Sequence, residues 1–182
     1  MTVRTVTHDN ESAAISLRSV RPDDRAFLLS VYASTRELEV ATVVDWDAAQ
    51  KAAFVRMQFD AQYAYYQENY EGAAFDVILV GGQPAGRLYI HPRDDEIRIM
   101  DIALLPEYCN RGIGTTLLHG LQSEAVAADK PLRIHVERFN PALRLYERLG
   151  FRQIDDRGVY LFMEWTNDNS QRSNPSTRSG LP

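Results

Sequence analysis

The chain has 182 residues, 45% of them hydrophobic and 25% charged, which is typical of a folded globular domain and excludes a disordered chain. Its formal net charge of −5 argues against a nucleic-acid partner and is compatible with a cationic ligand such as an amine. One cysteine, Cys109, excludes an internal disulfide, and no apolar run approaches the roughly 18 residues that a membrane helix requires. We therefore expect a cytoplasmic protein with no membrane partner.

Hydrophobic periodicity and turn residues divide the chain into an arm, one domain and a tail. Residues 1–14 lack an apolar period and are predicted to be a flexible arm, whereas residues 166–182 are predicted to be a disordered tail. Between them, the patterns predict strands at 15–20, 75–80, 86–91, 96–105, 132–136, 151–154 and 158–165. They predict helices at about 22–35, 47–69, 112–129 and 141–149.

This order of elements predicts an α/β (α+β) fold. We expect a mixed, mostly antiparallel central sheet of six to seven strands, with helices on both faces. The segment Gly81-Gly82-Gln83-Pro84 is predicted to be the turn of a hairpin.

The most specific motif, Asn110–Thr115, joins a strand to a helix. Backbone amides at a helix start have no acceptor inside the helix, and the helix dipole adds positive charge there. Gly112 and Gly114 leave these amides open to a phosphate, beside Arg111 and Thr115. For two glycines alone, a plain turn is the alternative. The chain has no GxxxxGK[ST] motif and has Leu117 where a dinucleotide fingerprint requires a third glycine.

A second motif follows at residues 140–151, with the sequence NPALRLYERLGF. Asn140 suits a helix cap or a hydrogen bond to a ligand amide, and Tyr146 lies about a turn and a half further along. Taken alone, Tyr146 is more typical of a packing residue on an amphipathic helix than of a ligand contact.

The two motifs, in this order and separation, resemble the acetyl-CoA-binding and C-terminal motifs of the GNAT superfamily. The resemblance covers about 18–165 and is clearest over 96–151. The strand at Glu96–Glu107 and the helix at Met57–Gln62 are similar to those of small bacterial GNAT proteins of generally unassigned substrate. It implies an N-acetyltransferase that moves an acetyl group from acetyl-CoA to a primary amine by direct attack in a ternary complex. The acceptor would be a small-molecule or peptide amine, and a homodimer would be usual for the superfamily.

The resemblance also implies a role for each matching residue. Tyr146 points its hydroxyl at the CoA sulfur, and Asn140 contacts the pantetheine region. Cys109 stands where the family prefers Gln or Arg, so we expect redistributed phosphate contacts, with a covalent acyl carrier as the alternative. The main chain that receives the pantetheine arm and the thioester, splayed at a bulge, is that of Ile102, Ala103 and Leu104. The pyrophosphate is held at Asn110, Arg111, Gly112, Ile113, Gly114 and Thr115.

The sequence does not fix the general base. A lysine-type amine with a pKa of about 10.4 is mostly protonated at pH 7 and needs one. Asp101 is the first candidate because it adjoins the expected bulge, and Glu96, Glu137 and His135 follow; a solvated residue on a strand edge is the alternative for each. His91 and His135 lack metal-ligand spacing, so no metal is predicted.

An aromatic cluster falls in the region that commonly shapes the acceptor pocket of this superfamily, and ordinary core packing is the alternative for each member. The cluster comprises Phe54, Phe59, Tyr63, Tyr65, Tyr66, Tyr70 and Phe75. Two other function classes remain open: a non-catalytic acyl-CoA-binding or sensor module, and a partner-binding domain that kept the fold and lost the cofactor.

Overall fold

The structure is a computed structural model that describes the backbone of residues 3–6 and residues 13–167. The rest of the predicted arm, and the predicted tail from residue 168 onward, lie outside the described residues. The strands are Val3–Val6 (β1), Ile15–Ser19 (β2), Ala74–Val80 (β3), Gln83–Pro92 (β4), Ile97–Leu104 (β5), Leu132–Glu137 (β6), Arg152–Arg157 (β7) and Tyr160–Trp165 (β8). The helices are Arg25–Ala41 (α1), Ala48–Asn69 (α2), Ile113–Ala128 (α3) and Leu143–Arg148 (α4).

Across the described residues, eight strands form one sheet in the order β1-β2-β3-β4-β5-β6-β8-β7. Only β5 and β6 are parallel neighbours, and the other pairs are antiparallel. The predicted fold class is confirmed, and the seven predicted strands correspond to β2–β8. The eighth, β1, lies within the segment predicted to be a flexible arm and pairs with Ile15–Arg18, a strand that the sequence analysis did not predict. Its sequence, VRTV, is rich in β-branched residues but too short to show a period.

Alternating strand residues build two cores, one on each face of the sheet. On β3, Ile78 packs into the core covered by α3 and α4, whereas Val77 belongs to the core covered by α1 and α2. This period of two is the pleat of a strand buried on both faces. Phe59 of α2 and Leu118 of α3 are almost completely buried, so helices do cover both faces, as predicted.

The helix boundaries follow local chemistry. At the start of α2, the Asp47 carboxylate accepts a hydrogen bond from the Gln50 amide at 2.8 Å, and the Gln50 side chain accepts one from the Asp47 amide. Helix α1 runs to Ala41, beyond the predicted end near residue 35, because no glycine or proline interrupts that stretch. Among the residues described, no helix combines the length and the apolar character needed to cross a membrane.

Candidate active site

Strands β5 and β6 separate halfway along their length and leave a wedge between them. Their parallel ladder ends at the pair Ile99 and Ile134, although β5 continues to Leu104 and β6 to Glu137. The ladder between β4 and β5 skips Met100, which is therefore the extra residue of a β-bulge. The bulge directly precedes Asp101, slightly before the position that the family resemblance implies.

Beyond the bulge, β5 pairs with β4 on one side and faces the wedge on the other. This part of β5 pairs with β4 and not with β6, and it consists of Ile102, Ala103 and Leu104. Backbone N–H and C=O groups of a strand need partners, so this edge suits an extended ligand that hydrogen-bonds to the main chain. The three residues predicted to receive the pantetheine arm therefore line the wedge.

The turn between β5 and α3 presents backbone amides at the same end of the wedge. Asn110 and Gly112 have left-handed backbone conformations, with φ of 59° and 79°. No side chain caps α3, so the amides of Ile113, Gly114 and Thr115 have no acceptor within the helix. With the dipole of a 16-residue helix behind them, these amides form a suitable site for a phosphate group.

Gly114 has a packing role that the sequence analysis did not predict. A Cβ atom at this position would lie 3.2 Å from Cδ2 of Leu145, so the absent side chain allows α4 to approach α3. Gly112 has open space around its missing Cβ, and its positive φ is what favours glycine there. The two glycines therefore serve different purposes: Gly112 shapes the turn, and Gly114 brings the helix that carries Tyr146 close to it.

The remaining residues of the turn are accessible. Arg111 is exposed, and its guanidinium lies 5.8 Å from the ring centroid of Tyr108. Thr115 is partly buried in the first turn of α3. Cys109 is exposed, and its Sγ lies 3.5 Å from the carbonyl oxygen of Leu105, at the end of β5.

Tyr146 lies in the core beneath the wedge. Its side chain is 4% exposed, and its ring packs edge-on against Phe151 with centroids 5.5 Å apart. Burial raises the pKa of Tyr146, and the Asp101 carboxylate raises it further, so the phenol keeps its proton at neutral pH. The charge of Asp101, the first candidate base, therefore acts on Tyr146, the predicted leaving-group residue.

Asn140 stabilises the turn that precedes α4. Its Oδ1 accepts a hydrogen bond from the Ala142 amide at 2.8 Å, which is an Asx turn. The N-cap residue of α4 is Ala142 and no side chain caps this helix, so Asn140 is not its helix cap.

Asp101 lies on the face of the sheet covered by α1 and α2, held by a buried arginine. Its Oδ2 accepts a hydrogen bond from Arg87 Nη2 at 2.7 Å, and Arg87 is only 3% exposed. The Arg87 guanidinium lies 5.6 Å from the ring centroid of Tyr32 and 5.5 Å from that of Tyr89. Burial raises the pKa of Tyr66, and the charge of Asp101 raises it further.

Glu96, the second candidate base, is a structural residue in this fold, which corrects the prediction. It is 1% exposed and forms ion pairs with Arg93, Arg98 and Arg133. It precedes Ile97, at the closed end of the wedge, five residues or roughly 16 Å along the strand from Asp101. A carboxylate enclosed by three guanidiniums at that position is neither accessible to an acceptor nor near the separated strands.

The other two candidates lie on β6. His135 stacks on Phe162 with centroids 4.5 Å apart, and its pKa is lowered by burial and by nearby Arg98 and Arg157. Glu137 is at the end of β6, on the second arm of the wedge, and pairs with Arg36 of α1 at 3.2 Å.

The predicted aromatic cluster is divided. Tyr66 and Phe75 contact Tyr89 on the α1 and α2 side of the sheet, whereas Tyr65 is exposed. The sequence analysis did not single out Arg87 and Tyr89. Because side chains alternate along a strand, their spacing of two residues in β4 already placed both on one face of the sheet.

Comparison with known proteins agrees with this geometry. The family described as acetyltransferase (GNAT) matches residues 40–151, more than half of the chain. No curated protein sequence matches the chain.

Solved structures share the fold at low sequence identity. The PaiA N-acetyltransferase of Thermoplasma acidophilum, in complex with coenzyme A, is 19% identical over 84% of this chain and 99% of its own, with a TM-score of 0.64. An acetyltransferase of Thermus thermophilus is 18% identical over 83% of this chain and 96% of its own, with a TM-score of 0.59. RimL, a ribosomal L7/L12 α-N-protein acetyltransferase, is 14% identical over 92% of this chain and 96% of its own, with a TM-score of 0.61. The family match, the split parallel pair and the open amide turn lead to one conclusion: this chain belongs to the GNAT acetyltransferase family.

Proposed function

We propose that the protein is an N-acetyltransferase that uses acetyl-CoA as donor and transfers the acetyl group directly to a primary amine in a ternary complex. The observation that carries this proposal is the wedge, with an unpaired β5 edge at Ile102–Leu104 that leads to the uncapped start of α3. The fold match to an N-acetyltransferase that binds coenzyme A supports the same donor.

The residues present fit acetyl-CoA. Its pyrophosphate needs donors without a side chain in the way, and the amides of Ile113, Gly114 and Thr115 meet that need. Its pantetheine arm carries amide groups that match the main-chain donors and acceptors of residues 102–104. When bound, the thioester supplies an activated acetyl group.

On the acceptor side, Asp101 is the proposed general base. It accepts the proton that the amine loses when its nitrogen forms the new C–N bond and the thioester C–S bond breaks. Arg87 orients this carboxylate by its 2.7 Å contact, and the proton passes on to solvent. The 16% exposed side chain of Asp101 leaves a path for that transfer.

On the donor side, Tyr146 donates a hydrogen bond to the departing sulfur. Because the pKa of Tyr146 is raised by burial and by Asp101, the phenol is a donor across the physiological range. The thiolate takes its proton from solvent after it has left. Asn140 holds the turn before α4 in place by accepting the hydrogen bond from the Ala142 amide.

An acceptor screen tests the proposal. Purified protein is incubated with acetyl-CoA and with polyamines, amino acids, amino-acid amides, aminoglycosides and peptides, and released CoA is measured together with the mass of the acetylated product. We expect turnover with at least one class of amine. Binding of acetyl-CoA by calorimetry without turnover of any acceptor would contradict catalysis and favour the acyl-CoA-binding or sensor alternative. Absence of CoA binding would remove the donor assignment as well.

A further inference from the structure

Helix α3 buries a glutamine on its apolar face, at a position where an apolar side chain would be usual. Gln122 is only 8% exposed, and Leu118, Leu121 and Ala125 on the same face are buried in the core covered by α3 and α4. An amide that is buried without hydrogen bonds destabilises a fold, so a buried glutamine needs partners for both of its polar atoms. The partners of Gln122 therefore indicate what this residue does.

Both polar atoms of Gln122 have a partner, and the two partners fix the orientation of the amide. Its Nε2 donates a hydrogen bond to the carbonyl oxygen of Leu149 at 2.8 Å. Because a carbonyl oxygen can only accept, the amide nitrogen points to Leu149 and Oε1 points the other way. Oε1 lies 3.0 Å from Nδ1 of the exposed His119, so that nitrogen of His119 carries a proton and donates it. His119 thus holds the outer end of the amide, and Leu149 holds the inner end.

The hydrogen bond to Leu149 leads to the main chain of Tyr146 in one further step. Leu149 is the C-cap residue of α4, and a carbonyl group at a helix end has no donor within its helix, so Gln122 supplies the donor. The carbonyl oxygen of Tyr146 accepts hydrogen bonds from the amides of Leu149 at 3.1 Å and of Phe151 at 3.0 Å. Phe151 also packs against the Tyr146 ring. Gln122 therefore anchors the turn that contacts both the backbone and the ring of Tyr146.

This anchor matters because α4 is too short to keep its position alone. The helix has six residues, and a helix of that length is not stable in isolation. Leu145 of α4 packs beside Gly114 of α3, and Leu149 bonds to Gln122. The contact at Gly114 limits how closely the two helices approach. The hydrogen bond from Gln122 is directional, so it also fixes how the end of α4 is turned about the helix axis.

From these contacts we infer that Gln122 is a positioning residue for the reaction: it fixes the C-terminal end of α4 and thereby the direction in which the Tyr146 hydroxyl points. The inference rests on the proposed role of Tyr146 at the departing sulfur and adds a residue that acts through it. A hydrogen bond to a developing charge depends steeply on distance and angle, so a small rotation of α4 weakens it in the transition state.

Gln122→Met tests the inference, because methionine keeps the length and the packing of the side chain but cannot donate to Leu149. We expect kcat to fall about tenfold or more, since a misplacement of about 1 Å can cost roughly a hundredfold. Calorimetric affinity for CoA should stay within about twofold of wild type. Amide hydrogen exchange at residues 149–151, measured without substrate, should become faster. Gln153→Met, the same substitution on the exposed strand β7, should change none of these quantities.

A double-mutant cycle with Tyr146→Phe separates positioning from general stability. If Gln122 acts through the Tyr146 hydroxyl, Gln122→Met should lower kcat in the wild type and have no further effect once that hydroxyl is absent. A purely structural role would lower the melting temperature equally in both backgrounds and leave kcat below that temperature unchanged. His119→Ala is a milder second variant, because it frees only the outer end of the amide. It should give a smaller fall in kcat with the same dependence on Tyr146, and it decides if Gln122→Met does not fold.

Three results would overturn the inference. A kcat for Gln122→Met within about twofold of wild type would make Gln122 a structural residue only. An equal fall in kcat in the wild type and in Tyr146→Phe would show that Gln122 acts on another group. Unchanged exchange at residues 149–151 would show that Gln122 does not hold the end of α4. Failure of the proposed function is seen separately: if no acceptor releases CoA, the acetyltransferase proposal is refuted, whereas the exchange measurement still decides whether Gln122 anchors α4.

Discussion

Tyr146→Phe is the most direct test of the leaving-group step. The substitution deletes the hydroxyl and keeps the ring that packs against Phe151 in a site only 4% exposed. A thiol with a pKa near 8.5 is a weaker base than a phenolate near 10, so full proton transfer from an ordinary tyrosine costs about 2 kcal/mol. Because burial and Asp101 raise the pKa of Tyr146, the cost here is larger still. A hydrogen bond that strengthens as sulfur gains charge is therefore the step that matters.

The size of the effect follows from that hydrogen bond. A bond to a charged acceptor contributes about 1.5–3 kcal/mol, which corresponds to a fall in kcat of roughly 10- to 150-fold. Since the bond strengthens in the transition state, CoA affinity should change little. The assay measures kcat by product formation and CoA affinity by calorimetry, with Tyr65→Phe on the exposed face of α2 as the control. A kcat within twofold of wild type, with chemistry shown to be rate-limiting, would make Tyr146 a packing residue only.

Four further outcomes are expected. Gly112→Ala should weaken CoA binding at least tenfold by straining a residue at φ 79°, whereas Gly158→Ala, at φ 75° in the β7–β8 turn, carries the same strain and should bind CoA normally in calorimetry. Glu96→Gln should lower the free energy of unfolding by about 3–5 kcal/mol, because three arginines lose a shared counter-charge, while kcat below the melting temperature stays within twofold; loss of the acidic limb of the pH–rate profile, where a general base becomes protonated, would restore Glu96 as the base. Burial raises the pKa of Tyr66, Tyr89 and Tyr146, and the charge of Asp101 raises each further, so the unfolded state loses these protons first and stability should fall as pH rises through 10; flat stability in alkaline denaturant titrations would contradict this. Cys109→Ser should keep most of the activity, and an acetylated thiol that forms and decays at the turnover rate would instead indicate a covalent acyl carrier.

Local sequence patterns were sufficient to predict the strands β2–β8 and the turn before α3. Alternation and turn residues located β2–β8 because a strand buried on a core repeats every two residues whatever surrounds it. The turn at Gly112 was predictable because positive φ and open amides are properties of a short segment. The packing reason for Gly114 was not, since it depends on Leu145 in another helix.

The ion pairs around the candidate bases could be identified only from the tertiary structure. Arg36 and Glu137 lie 101 positions apart, and no spacing rule connects them. Glu96 looked like a strand-edge carboxylate, but it is enclosed by Arg93 of the β4–β5 turn and by Arg133 of β6. Buried apolar residues repeat with the period of a strand or helix, but charged residues that pair inside a fold follow no such period. Long-range ion pairs therefore cannot be read from the sequence.

The position of Cys109 has a practical consequence for anyone who measures this protein. It is the only cysteine in the chain, and it is exposed beside the amides assigned to the pyrophosphate. A maleimide fluorophore attached there would sit at the proposed donor entrance, so its emission should respond to CoA if the donor binds as proposed. The same thiol would also react with colorimetric reagents that quantify free CoA, adding a background proportional to protein concentration. A Cys109→Ser background removes that signal, and protection of the native thiol by CoA provides a labelling assay for donor binding that needs no acceptor.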